Sequence, residues 1–285
     1  MVQPEQTETF PAAAPHKRLI LCADDFAANA AASQGIAALA RAGRISATSA
    51  MVLSPRWAGD AALLRDVRGR IDVGLHLDWT SGFARAAGYG MSLTRAMLKA
   101  VLGGFEPAAA RTVIERQLDA FEAVWKAPPD HIDGHQHVQQ FAGIRQALVA
   151  VMRTRYAINN RAYFRLSTGV AADKSFKMRV ISRMGAAALA ASAKTAGIDC
   201  APALSGVYDF SGGAERYSQL MDHWLRDAPD GAIVMCHPAQ RAEAGDVIGA
   251  ARAWEYACLA GAAFAESLAR TGVCLSRGAQ IHFRP

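Results

Sequence analysis

The feature that most limits how this chain can fold is its rhythm. Short β-prone runs alternate with longer stretches whose apolar residues recur at helical spacing, from one end of the sequence to the other. RLILCA (18–23), ISATSAMVL (45–53), IDVGLHLDW (71–79), HIDGH (131–135), LSGVY (204–208), GAIVMCH (231–237) and VCLSR (273–277) read as strands, with a further strand at 156–161. Helices are expected over 29–43, with Gly43 as C-cap, over 107–127, opened by Pro107, and over 142–154, 173–196, 214–226 and 250–269. Strands separated by helices pair in parallel, because each crossover returns the chain to the same edge direction. Seven or eight such units in 285 residues favour one closed (β/α) barrel over an open sheet. The expected organisation is a flexible tail over 1–16 and a single barrel over 17–285.

Totals narrow the class. Hydrophobic residues make up 52% and charged residues 20%, the balance of a chain that folds around a core. The net charge of +6 is spread along the chain, and no motif supports nucleic-acid binding. The five cysteines include no C-x-x-C pair, so reduced thiols and a cytoplasmic location are expected. Cys22 and Cys236 are read as packing residues turned away from the polar positions beside them. The opening MVQPEQTETFPAAAPHKR lacks a basic start followed by an apolar run, so no secretory leader is expected, and no run approaches the roughly 18 residues of a membrane span.

In a barrel of this kind the chemistry sits at the carboxyl ends of the strands. Four polar clusters fall at such ends: Asp24 and Asp25, His76, the group HIDGHQHV (131–138), and His237 before Pro238. Each has an ordinary structural reading. Asp24 and Asp25 can cap the next helix, His76 and His237 can be satisfied core histidines, and His131, His135 and His137 can belong to a polar turn. Taken together they suggest a site. Asp25, His76 and His135 supply one carboxylate and two imidazoles, a set that leaves positions open for water and substrate. Such ligands admit zinc, manganese, cobalt or iron, with magnesium less expected from imidazoles. Asp133 is placed to accept the second N–H of a ligating ring. Residues 80–105 look like an insertion covering the substrate, Tyr208, Phe210, Trp79 and Phe83 are candidates for stacking on a sugar ring, and Arg161 and Arg165 for binding it.

The stretches LILCADDFAANAAASQGI, VGLHLDWT, HIDGHQHV, GVYDF and MCHPA, and later EYACLAGAAFAESL, resemble the YdjC-like carbohydrate deacetylases, in the same order from about Lys17 to Phe283. The resemblance implies a distorted barrel of NodB-like architecture that removes an acetyl group from an N-acetylated sugar, oligosaccharide or glycolipid, with one divalent metal ion, magnesium or zinc, and manganese or cobalt admitted. It implies Asp25, His76 and His135 as metal ligands, Asp24 as general base and His237 as acid or transition-state stabiliser; as a proton donor, His237 is expected to have a pKa near working pH. Asp133, His137, Arg161, Arg165 and Tyr208 remain candidates for substrate contact or support. It also implies a homodimer. No nucleic acid and no transmembrane segment are expected, while the basic, partly apolar stretch 173–194 suits peripheral membrane contact. Two positions depart from the family pattern: Ala27 stands where members carry glycine after ADDF, and Gln139 where many carry histidine after HV. Two other readings compete: a different metal-dependent amidohydrolase or phosphoesterase, and a sugar-binding protein without catalysis on the same fold.

Overall fold

Every strand pairing among the described residues is parallel. The structure, a computed structural model, describes residues 17–157, 162–170, 175–281 and 283. The chain runs β1 (Lys17–Phe26), α1 (Ala30–Arg41), β2 (Ala47–Ala50), α2 (Trp57–Asp60), β3 (Asp72–Leu77), α3 (Gly82–Ala86), α4 (Leu93–Val101), α5 (Pro107–Trp125), β4 (His131–Gly134), α6 (Ile144–Arg155) and β5 (Tyr163–Arg165). It continues with α7 (Phe176–Arg183), α8 (Ala186–Thr195), β6 (Cys200–Ala201), β7 (Leu204–Ser205), α9 (Gly213–Asp227), β8 (Ile233–Cys236), α10 (Gly249–Ala260), α11 (Ala262–Thr271) and β9 (Val273–Leu275).

Eight strands form one path, β6-β5-β4-β3-β2-β1-β8-β7, and β9 adds to the start of β1. The two ends of that path, β6 and β7, are separated in sequence by Pro202 and Ala203 alone. The sheet therefore comes round on itself, and the seam is bridged by the chain instead of a hydrogen-bonded ladder. Across it, the Leu204 N–H donates to Thr168 O at 2.7 Å. This is a distorted (β/α) barrel, as expected.

Strand alternation sorts the side chains into two layers. On β1, Leu19, Leu21 and Ala23 join the large core between sheet and helices, whereas Ile20 and Cys22 face the barrel interior with Ala47, Ile233 and Met235. Low in that interior, Asp72 accepts from the Tyr163 hydroxyl at 3.0 Å and from Arg277 Nε at 2.9 Å. Above it, Gly74 leaves room for the His131 ring, which stacks on Tyr163 with centroids 5.4 Å apart.

Several expectations need correction. Most of the strand predicted at 156–161 lies outside the described residues; Tyr156 caps α6, and the strand described after it is Tyr163–Arg165. Residues 158–161, including Arg161, and the tail 1–16 lie outside the described residues. The helix expected over 173–196 is two, broken at Gly185, whose φ of +122° no helix accommodates. The helix expected over 250–269 is likewise two, parted at Gly261. Cys22 faces inward, not away from Asp24: two residues apart on a strand, they share a side, and its Sγ lies 3.6 Å from Asp24 Oδ1. Cys236 is turned outward as expected, into the core between sheet and helices.

A Cβ added at Gly74 would stand 2.3 Å from His131 Nε2, so Gly74→Ala must displace a ring fully buried inside the barrel. We expect a loss of about 1–3 kcal/mol, measured by urea unfolding. An unchanged midpoint would show that the ring has room to retreat.

Candidate active site

Five strands deliver polar side chains to one end of the barrel. Asp24 and Asp25 close β1, His76 lies near the end of β3, His135 follows β4, Arg165 ends β5 and His237 follows β8. All six residues line a single cavity of about 540 Å³. Adjacent strand residues normally face opposite sides, yet Asp24 and Asp25 both reach the cavity. The cause is a break in β1: Asp25 has φ +66°, and the pairing with β2 shifts register between Ala23 and Phe26. Asp tolerates this left-handed conformation better than most residues. Ala27 repeats it at φ +71°, where glycine would sit without strain; for an L-residue this costs about 1–2 kcal/mol.

Three donor atoms converge at the centre. Asp25 Oδ1 is 3.5 Å from His76 Nε2 and 3.2 Å from His135 Nδ1, and all three lie within 4.8 Å of one another. Ligands held about 2.1 Å from a divalent ion stand roughly 3.0–3.4 Å apart in tetrahedral or octahedral geometry, so this set fits one cation. The outer contacts fit as well. His76 donates its Nδ1–H to Asp133 Oδ1 at 2.6 Å, leaving Nε2 as the free donor atom. Burial pushes the His76 imidazolium down, but Asp133, Asp24 and Asp25 outweigh it and raise its pKa to about 9. A high proton affinity at a ring aimed into three carboxylates marks a place that attracts positive charge.

Asp25 spends its other oxygen on Arg252, whose Nη2 donates to Oδ2 at 2.7 Å. Arg252 is in turn held by Asp246 at 2.8 Å, and Asp246 by Asn29 Nδ2 at 3.1 Å. Burial alone would raise the Asp25 pKa; Arg252, His135 and His76 together hold it well below the usual carboxylate range. Asp24, beside it, is gripped by Arg165 through both oxygens, at 2.6 and 2.9 Å. Arg165 also lies 2.9 Å from Asp133 Oδ2, which accepts from Ser49 Oγ at 2.6 Å. Buried Asp133 is driven down by Arg165 and His76 against its own desolvation.

His237 Nε2 stands 3.9 Å from Asp24 Oδ2. The expectation of a pKa near working pH is corrected: burial lowers it to about 4, so the ring is neutral at pH 7. Its backbone N–H donates to the fully buried Glu255, which also accepts from the Tyr208 hydroxyl at 2.8 Å. Burial pushes Glu255 up to about 7.

The other sequence candidates divide. Arg165 is 1% exposed and its guanidinium is committed to Asp24 and Asp133, which is the supporting one of its two expected placements. Tyr208 lies in an aromatic cluster with Tyr217 and Trp224, outside the cavity wall, while its neighbour Phe210 lines it. Trp79 is buried against Tyr89. His137 lines the cavity and meets Ser167 Oγ at 2.9 Å. Gln139, in the place of the family's histidine, donates to Arg165 O at 3.0 Å and so supports the backbone of β5. Sequence reasoning missed Arg252 and Glu255. The available signal was two charges three residues apart on one face of an otherwise Ala-rich helix, where a charge is buried only if paired.

Replacing Arg165 by Met strands Asp24 and Asp133, two buried carboxylates. We expect a loss of about 3–5 kcal/mol at neutral pH by urea unfolding. The folded pKa of Asp133 is depressed, so the stability it contributes is present above its unfolded value and fades as pH falls below it. The penalty of Arg165→Met should hold from pH 7 to about 4 and shrink below that, and a penalty that stays constant as pH falls from about 4 toward about 2 would rule out the charge account.

Comparison with known proteins follows the same lines. A family model described as YdjC-like protein matches residues 18–270. The chain is 30% identical over 153 residues to a mouse protein named carbohydrate deacetylase, covering 49% of this chain and 48% of that protein. A human protein of the same name is 28% identical over 151 residues, covering 49% and 46% respectively. The chain thus spans about half the length of these curated relatives in the matched region. Among solved structures, a putative cellobiose-phosphate cleavage protein from Enterococcus faecalis superposes with a TM-score of 0.67 at 20% identity, covering 93% of this chain and 98% of that one, a likeness of fold.

Proposed function

Because the chain belongs to the YdjC-like proteins, we propose that it is a metal-dependent deacetylase, hydrolysing the acetamide of an N-acetylated sugar to acetate and a free amine. The observation that carries this reading is the pairing, in one cavity, of a donor set for a single cation with a separate carboxylate, Asp24, on the adjacent residue. Amide hydrolysis by direct attack of water is served by that combination: an electrophilic centre and an independent base.

Asp25, His76 and His135 would hold the ion, which when bound polarises the amide carbonyl and makes a water acidic enough to attack near neutral pH. Asp24 takes the proton of that water as oxygen adds to the carbonyl carbon. Arg165 fixes both Asp24 oxygens and so fixes the direction from which the proton is taken. When the C–N bond breaks, the leaving nitrogen needs a proton. His237 is the donor, and since its ring is neutral at rest, the proton it passes on is the one Asp24 has received. A ring that resists protonation releases a proton readily, which suits a relay over 3.9 Å. Asp133 holds the His76 tautomer throughout.

Asp24→Asn, an isosteric change, should cut acetate release from N-acetylglucosamine oligosaccharides and glycolipids by about 10²–10⁴-fold while the metal content stays the same. Equal rates would remove Asp24 as base. His135→Ala should abolish stoichiometric binding of Zn²⁺ or Mn²⁺ in calorimetric titration; full-affinity binding by this variant would move the metal elsewhere.

A further inference from the structure

The surface changes character around the mouth of the cavity. Among the described residues, the large apolar side chains left exposed are Leu98 at 59%, Val101 at 73%, Leu102 at 74%, Phe176 at 78% and Val247 at 99%. All five lie on α4 and its C-terminal cap, on α7, or on the loop after β8, and each of these elements lines the cavity, through Met97, Phe176 and Ile248 for example. Leu98, Val101 and Leu102 themselves do not touch it, so catalysis gives no reason for their exposure. Apolar residues gathered at one place on an otherwise ordinary surface mark something that covers them.

Charge says what that is. Residues 80–105 carry Arg85, Arg95 and Lys99 and no Asp or Glu; residues 175–198 carry Lys177, Arg179, Arg183 and Lys194 and again none. The Lys177 ammonium is turned inward, donating to Tyr208 O at 2.6 Å over the Phe210 ring. Arg95, Arg179 and Arg183 are exposed and pair with no carboxylate among the described residues. A second copy of the chain is a poor cover. Contact across a two-fold axis would set the α4 and α7 segments, cationic and without acids over 80–105 and 175–198, against themselves. Apolar side chains interleaved with unpaired cations match a surface that is anionic outside and hydrocarbon beneath.

We propose that this rim, built by α4 and α7, docks the protein on the surface of an anionic lipid bilayer with the cavity mouth facing the headgroups. Leu98, Val101 and Leu102 enter the boundary between headgroups and acyl chains, while Arg95, Arg179 and Arg183 meet the lipid phosphates. The inference is independent of the deacetylase reading, since binding is measured without turnover.

The test is flotation of the full chain with vesicles of pure phosphatidylcholine and with vesicles containing about 30 mol % phosphatidylglycerol. Binding should favour the anionic vesicles by at least about tenfold and weaken severalfold in about 0.5 M salt. Leu98→Ser/Val101→Ser/Leu102→Ser, three exposed changes, should lose about tenfold or more at an unchanged melting temperature. Arg95→Gln/Arg179→Gln should lose about fivefold per charge removed. No preference for anionic vesicles, or a triple serine variant that binds like wild type, would overturn the proposal. So would sedimentation showing that the triple variant turns a dimer into monomer with vesicle binding intact, which would give the patch to a second copy.

Discussion

Three buried carboxylates at the mouth of one barrel are the constraint around which this structure is arranged. Asp24, Asp25 and Asp133 are each no more than 2% exposed. Left alone in a low-dielectric interior they would take up protons and lose the charge that makes them useful. Arg165 meets two of them and Arg252 the third, each nearly as buried as its partners. The guanidinium suits this task because its donors lie in a rigid plane and its charge is not lost on burial. Buried ion pairs of this kind add little net stability, but removing one partner is costly. What they supply is position: each carboxylate oxygen that is not aimed into the cavity is already taken.

Position then propagates. Asp133, held by Arg165 and Ser49, orients His76; Arg252, held by Asp246, orients Asp25. Asp24 and the cluster of Asp25, His76 and His135 are therefore not separate modules but two ends of one network, joined through Arg165. Glu255 extends the same logic to β8 by fixing the backbone at His237 and the Tyr208 hydroxyl together. The helices contribute in a different way. α5 and α6 close the barrel from outside, whereas α4 and α7 reach past the strand ends and give the cavity its apolar walls. Polar floor and apolar rim are thus built by different parts of the chain, strands for the first and insertions for the second.

The strand ends were legible because strand periodicity and residue chemistry reinforce each other there. An acidic pair after RLILCA and a histidine in VGLHL are conspicuous against apolar neighbours, and parallel strands must present their carboxyl ends on one side. Breaks were less legible. Gly185 and Gly261 interrupt helices whose apolar pattern continues on both sides, so periodicity alone ran through them. β5 at Tyr163–Arg165 was missed for a similar reason, since a strand of three residues carries too short a pattern to locate. Arg252 and Glu255 were hidden because a charged residue on a helix reads as solvent-facing until its partner is known.

What the sequence determined by itself was the alternation of elements, the parallel barrel and the residue types gathered at its rim, because all of these follow from local periodicity and from chain direction. Only the tertiary structure decided the roles within the rim. That Arg165 pairs with Asp24 and Asp133, that Cys22 shares the interior with the acids, that His237 rests neutral, and that Asp24 and Asp25 face the same side all depend on contacts between residues far apart in the chain or on a single left-handed turn in β1. A pKa, a partner and a direction belong to a neighbourhood in space, and the neighbourhood exists only once the barrel has closed.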